Sequence, residues 1–247
     1  MRHPIALSIA VCIAGLAALS ASAKKPTANA AEYAIRWNPR QGGPATAEAA
    51  LEALSPAPSD TKPKSAEFDV QYFSVAKPPD LPADVSAILR ERKKSKKTEL
   101  TFKLRGPRPF PTPLASWACP VEAAADEKDA IESKDELDCS FLSRGDPKCV
   151  RSRSCTAASA GDPAIPETLH AEKKGCPAHV RRLEAGDRKV EEWHVGEHEV
   201  LIEVSQNAND GDAARKHFRD AVVSVLLDQK IVPLEASKTE LGGECRP

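Results

Sequence analysis

The sequence predicts an α+β chain built mainly of antiparallel strands, with one helix near each end. Short runs alternate apolar and polar residues with period two along much of the chain. Turn-forming residues separate successive runs at hairpin distances. An apolar stripe of helical period occurs in two segments, one after the first strand and one close to the C-terminus.

The elements follow in order. Ala31 to Trp37 sets Tyr33, Ile35 and Trp37 on one face and Glu32, Ala34 and Arg36 on the other, as a strand does. Thr46 is placed to cap a helix running through Leu54, with Ala50, Leu51 and Leu54 on one side. Ser55 to Lys64 reads as a Pro/Ser linker. Ala66 to Val75 alternates Phe68, Val70 and Tyr72 against Glu67, Asp69 and Gln71. Ala87 to Lys93 and Glu99 to Arg105 read as a hairpin whose tip carries Lys93, Lys94, Lys96 and Lys97. Such a tip is ordinarily a solvated end that discourages edge pairing; an anionic partner is the functional alternative. Leu137 to Leu142 reads as a further strand. Ala178–Leu183, Lys189–Val195 and Glu199–Ser205 are three more, joined by turns at Ala185-Gly186-Asp187 and Gly196-Glu197. Asp212 to Gln229 is an amphipathic helix, with Phe218, Val222, Val225 and Leu226 opposite Arg215, Lys216 and Arg219.

The N-terminus has the three parts of a cleaved signal peptide over residues 1–23. Arg2 and His3 precede the apolar run Ile5–Leu19, and Ala21-Ser22-Ala23 supplies small residues for cleavage. That run is shorter than the roughly 20 residues a membrane span needs. No later stretch is long and apolar enough to span, so no integral membrane segment is expected after cleavage. The expected mature chain, 24–247, is secreted, in a bacterial periplasm. Of seven cysteines, Cys12 leaves with the leader. Cys119, Cys139, Cys149, Cys155, Cys176 and Cys245 read as disulfides in an oxidising compartment, each worth about 2–4 kcal/mol. Their pairing stays open. Zinc is the competing reading, but the chain has no Cys-x-x-Cys. Residues from about 107 to 177 are Pro-bearing, charged and cysteine-rich, and read as an irregular, disulfide-stapled insertion in one domain.

Basic and acidic side chains nearly balance, 35 against 36, which argues against a general nucleic-acid binder, and no nucleic acid is expected as partner. Neither a Gly-x-Ser-x-Gly elbow nor a glycine-rich phosphate loop occurs. One pattern does carry chemistry. Arg90 and Arg92 share one face of their strand, as do Lys103 and Arg105, while Glu203 interrupts an apolar run. Two readings stand: solvated sheet faces, or charged faces turned inward to grip a polyanion.

The order of segments resembles the CYTH family, the triphosphate tunnel fold. Glu32-Tyr33-Ala34-Ile35-Arg36 is similar to its opening Glu-x-Glu-x-Lys strand, with Ala34 in place of the second acid and Arg36 in place of the Lys. Leu89-Arg90-Glu91-Arg92 and Leu100-Thr101-Phe102-Lys103 resemble its Leu-Arg-x-Arg and Leu-Thr-x-Lys strands, and Ser237-Lys238 its closing Ser-Lys. The resemblance implies an antiparallel β-barrel of eight strands, a CYTH-like tunnel with flanking helices, lined with charge. It implies phosphate contacts from Arg36, Arg90, Arg92, Lys103, Arg105 and Lys238, and Mg²⁺ or Mn²⁺ on Glu32 and Glu203. The expected partner is an anionic small molecule or polyphosphate, bound and weakly hydrolysed. The altered opening signature favours the alternative, a non-catalytic envelope protein that keeps the fold for stability or partner binding.

Overall fold

The structure, a computed structural model, describes residues 30–54, 62–77, 81–127, 130–197 and 199–240. The expected signal peptide, most of the Pro/Ser linker and Cys245 lie outside the described residues.

Among the described residues, nine strands form the wall: β1 (Ala30–Trp37), β2 (Lys64–Ser74), β3 (Ser86–Lys94), β4 (Lys97–Gly106), β5 (Ile131–Ser140), β6 (Lys148–Ser159), β7 (Glu172–Ala185), β8 (Arg188–Val195) and β9 (Glu199–Asn209). They close into a barrel in the order β1-β5-β6-β4-β3-β2-β7-β8-β9. The pairings are antiparallel apart from β1 with β5, which run parallel where Ala31–Ala34 face Leu137–Ser140. The wall is therefore mixed at one seam and has nine staves where eight antiparallel ones are expected. Gly186 at the β7–β8 turn has φ +61°, a conformation that glycine adopts without a Cβ penalty.

Residues 107–177 are not an irregular insertion throughout: they supply two staves, β5 and β6. Their apolar content is low because the lumen face of both strands is charged or hydroxyl-bearing, so composition alone hides the strands. Cys119–Cys155 and Cys139–Cys149 staple this segment, the second across the β5–β6 pair. Cys176 is also disulfide-bonded.

Helix α1 (Ala47–Ala53) starts where Thr46 predicts, and the Thr46 hydroxyl accepts the Ala49 N–H at 3.2 Å. The C-terminal helix is continuous but has a π turn: α2 (Asp212–Phe218), Arg219–Val223 in π geometry, then α3 (Ser224–Asp228). These helices cover the outside of the barrel. Tyr33, Ile35 and Trp37 of β1 pack with Ala50, Leu51, Phe218, Val222 and Leu226 in the largest apolar cluster. A second cluster clads the outside of β3, β4 and β6, where Leu89, Leu100, Phe102 and Ala157 meet Val121, Ala124 and Leu169. Burial of this outer shell, at roughly 25 cal/mol per Å² of apolar surface, drives closure. The opposite face of each strand is thereby forced into the lumen.

Candidate functional site: a charged tunnel

Cross-strand register shows which residues share the lumen. Glu32 lies opposite Asp138, Arg36 opposite Glu203, and Glu203 opposite Glu191. Arg182 faces Glu191, Arg90 faces Thr101, Arg92 faces Glu99, and Lys103 faces Ser154. Because directly opposed residues point to the same side of a sheet, this chain of pairs runs round one inner surface. The inner wall is not charged all round. On β2, β7, β8 and β9 it carries Phe68, Val70, Tyr72, Val180, Trp193 and Leu201, a buried apolar wedge.

At the β3–β4 end is a cavity of about 280 Å³. Arg90, Arg92, Lys94, Lys103 and Lys134 line it, against Glu99, Glu132 and Glu136, with hydroxyls from Thr101, Ser154 and Thr156. The Nε atoms of Arg90 and Arg92 are buried and have no hydrogen-bond partner among the described residues. Arg90 donates to the Thr101 hydroxyl at 3.3 Å. Arg92 stands 3.6 Å from Glu99 and stacks over the Phe68 ring at 4.5 Å. Burial, followed by the neighbouring Arg90 charge, pushes the Arg92 guanidinium down to about 9. Its charged form is thus held at a desolvation cost. Lys94 and Lys97 reach Glu99 at 2.6 and 2.8 Å. Burial opposes ionisation of Glu99, but these hydrogen bonds outweigh it and hold the carboxyl at about 2.

Deeper in the lumen, Glu32, Glu136 and Asp138 each present a carboxylate oxygen within 4.8 Å of the others. Lys103 bridges Glu136 (3.2 Å) and Asp138 (2.8 Å); Lys134 meets Glu136 at 2.7 Å and Arg105 meets Asp138 at 3.2 Å. Burial works against the Asp138 charge, yet Lys103 and Arg105 prevail and lower its pKa to about 2. Glu32 is also lowered: burial opposes, and the Lys238 charge is the leading counterweight. Three hard oxygen donors at this spacing suit Mg²⁺ or Mn²⁺.

Beyond the triad lies a second cavity, about 270 Å³. Here the charges satisfy one another. Arg36 Nε donates to Glu203 at 2.9 Å, and Lys238 Nζ donates to the other Glu203 oxygen at 2.5 Å and to Glu191 at 2.8 Å. Arg182 Nε meets Glu191 at 2.8 Å. Glu191 is held well below the usual carboxylate range: burial resists, but Lys238 and Arg182 dominate. Lys238 also lies 5.1 Å over the Trp193 ring.

The residues singled out from the sequence thus fall into separate groups. Arg90, Arg92 and Lys103 line the basic chamber; Arg36, Arg105, Glu32, Glu203 and Lys238 line the second. The acidic neighbours that Glu32 finds are Glu136 and Asp138; Glu203 has both oxygens taken by Arg36 and Lys238. Sequence reasoning missed Lys134, Glu136, Asp138, Glu191 and Arg182. The signal for the first three was present, since Lys134, Glu136 and Asp138 are charges at period two, the same mark that picked out Arg90 and Arg92.

No family model matches the chain, and no curated protein matches it by sequence. Among solved structures it is similar to the PH1819 protein of Pyrococcus horikoshii, at 9% identity, 85% of this chain, 97% of that one and TM-score 0.43. A Vibrio parahaemolyticus protein named as a candidate adenylate cyclase gives 9% identity, 85% and 96% coverage and TM-score 0.44. A Hippeastrum protein, named for adenylyl cyclase and said to show a dominant triphosphatase activity, gives 14%, 85%, 92% and 0.41. Likeness of this degree says nothing of chemistry. The barrel stands on its own strand order, and a closed wall around a charged lumen is the architecture that the CYTH resemblance implies.

Proposed function

We propose that this protein, a divergent and exported relative of the CYTH family, binds a phosphate-rich anion, tri- or polyphosphate, in the basic chamber, with weak metal-dependent hydrolysis. The observation that carries the reading is the pair of buried guanidinium Nε atoms on Arg90 and Arg92 with no hydrogen-bond partner. A buried donor left unmatched costs free energy, and phosphate oxygens match a guanidinium fork in geometry and charge. Arg90, Arg92, Lys94 and Lys134 would hold phosphate oxygens, while Lys103 would orient the group nearest the triad. Glu32, Glu136 and Asp138 would hold the divalent cation. When bound, such a cation neutralises phosphoryl charge and orients water. Arg36, Arg105 and Lys238 support the site from behind, by fixing Glu203 and Asp138. The disulfides accord with the exported, periplasmic life expected from residues 1–23.

The alternative, a non-catalytic envelope protein, is favoured by a specific fact: Lys103 and Lys134 already neutralise Glu136 and Asp138. A thermal-shift titration with tripolyphosphate, with and without Mn²⁺, tests both, run beside a phosphate-release assay. Stabilisation that disappears in Arg90→Met supports the proposal, and turnover lost in Asp138→Asn supports catalysis. No stabilisation by tripolyphosphate in either condition leaves the structural alternative.

A further inference from the structure

We propose a second metal site, on the outer wall of the barrel, where His179 of β7 and His194 of β8 together hold a borderline transition-metal ion, Zn²⁺ or Cu²⁺. It is separate from the tunnel and does not rest on the reading above. The two histidines stand directly opposite one another across the β7–β8 pair. Their chain neighbours Val180 and Trp193 belong to the apolar wedge inside the barrel, so period two turns both imidazoles outward. Both histidines are exposed. Directly opposed residues on one face have Cβ atoms about 4.5–5.5 Å apart. That spacing lets two imidazoles close on one ion, each nitrogen about 2.0–2.1 Å from it.

A carboxylate stands behind each ring. His179 Nδ1 lies 2.9 Å from Asp69 Oδ1, and His194 Nε2 lies 2.8 Å from Glu192 Oε1. Carboxylate oxygens only accept, so in the neutral imidazole the nitrogen facing each one carries the proton. The lone pair then sits on Nε2 of His179 and on Nδ1 of His194. Metal-ligating histidines are ordinarily held in this way, with the second ring N–H given to a carboxylate that fixes the tautomer and raises the basicity of the ligating nitrogen. Glu192 is itself anchored: it is buried, and its other oxygen accepts the Ala47 N–H at 2.9 Å.

Two histidines opposed without an ion are an unfavourable pair once protonated, because like charges directly opposite destabilise a sheet. An ion shared by both lone pairs removes that repulsion. Two cations on this face, Lys93 opposite Asp69 and Arg181 two residues from His179, are already paired with Asp162 and Glu48. Imidazole nitrogens suit zinc and copper, whereas Mg²⁺ and Ca²⁺ take oxygen ligands. With two protein nitrogens the remaining positions fall to water, so the ion is exchangeable and the fold does not depend on it.

The test titrates Zn²⁺ alone into the full mature chain, made without a histidine tag, by calorimetry, and reads bound Cu²⁺ by electron paramagnetic resonance. The expected result is a zinc site that Asp138→Asn, in the tunnel, leaves in place. His179→Ala and His194→Ala should each weaken it by at least the roughly 10- to 100-fold that loss of an outer-shell partner costs, and Asp69→Asn by an amount within that range. The copper spectrum should show splitting from two imidazole nitrogens, lost in either histidine variant. Zinc binding that survives both histidine changes, or that vanishes in Asp138→Asn, would overturn the proposal. So would a wild-type chain that takes no zinc, which would make these two ordinary surface histidines held by carboxylates. His179→Gln reports on the site if an alanine variant does not fold.

Discussion

The two ends of the tunnel use the same residue types to opposite effect. At the β3–β4 end, basic groups exceed acidic ones and two arginines keep an unmatched donor. At the other end, Arg36, Glu203, Lys238, Glu191 and Arg182 form a continuous network in which each charge has a partner. A buried charge with its partner in place is structural, whereas one without a full set of partners keeps a donor to offer, the feature on which the proposed function rests. The difference lies in pairing, and the number of arginines does not reveal it.

The largest expected effect tests the paired end. Glu203→Gln leaves Arg36 and Lys238 without their shared counter-charge, and breaking such a buried pair costs about 3–5 kcal/mol. Urea denaturation monitored by circular dichroism measures it; a loss under 1 kcal/mol (~0.1 of the usual margin) would mean the network is solvated. Next in size is the staple across the β5–β6 pair, beside the second cavity. Replacing Cys139 and Cys149 with Ser removes a short covalent loop beside Asp138, at a cost of about 2–3 kcal/mol by the same measurement.

Arg92→Met sharpens the contrast from the other side. Tripolyphosphate affinity should fall roughly 10- to 100-fold, while the unliganded protein stays as stable as before or gains, because a desolvated cation is removed. Calorimetry and a melting curve on one preparation give both numbers, and a large loss of stability would make Arg92 a structural residue. The smallest effect concerns acid. Glu99 and Asp138, both held at about 2 in the folded chain, have ordinary values of 4.5 and 3.8. Folded values below unfolded ones mean that their contribution is complete above the ordinary values and is lost as pH falls toward about 2. Stability followed by urea midpoint between pH 6 and 2 should therefore be flat at first and then decline; these pH bounds are about those of carboxylate titration. Asp138→Asn should flatten part of that decline.

Most of the wall was legible in the sequence because an outer apolar face writes a period-two pattern. Tyr33, Ile35 and Trp37 announce β1 so, and Phe68, Val70 and Tyr72 announce β2, although that apolar face turns inward. β6 was hidden: its buried positions are Ser152, Arg153, Ser154, Cys155 and Ala157, which carry little apolar signal. The site was half legible for a related reason. Arg90, Arg92 and Lys103 stand out as paired charges, whereas Glu136 and Asp138 straddle the start of the strand expected at Leu137–Leu142, inside a segment read mainly as an irregular insertion.

Read by itself, the sequence determined which residues share a face through strand alternation, where the first helix begins through the Thr46 cap, and through its cysteine spacing that disulfides would staple the middle of the chain. Only the tertiary structure decided which face of each strand looks inward and which opposite charges meet. The physical reason is that a strand's period is local, while the sign of its curvature and the identity of its neighbours come from closing the sheet. Arg36 and Glu203 stand far apart in the chain, and nothing short of that closure makes them partners.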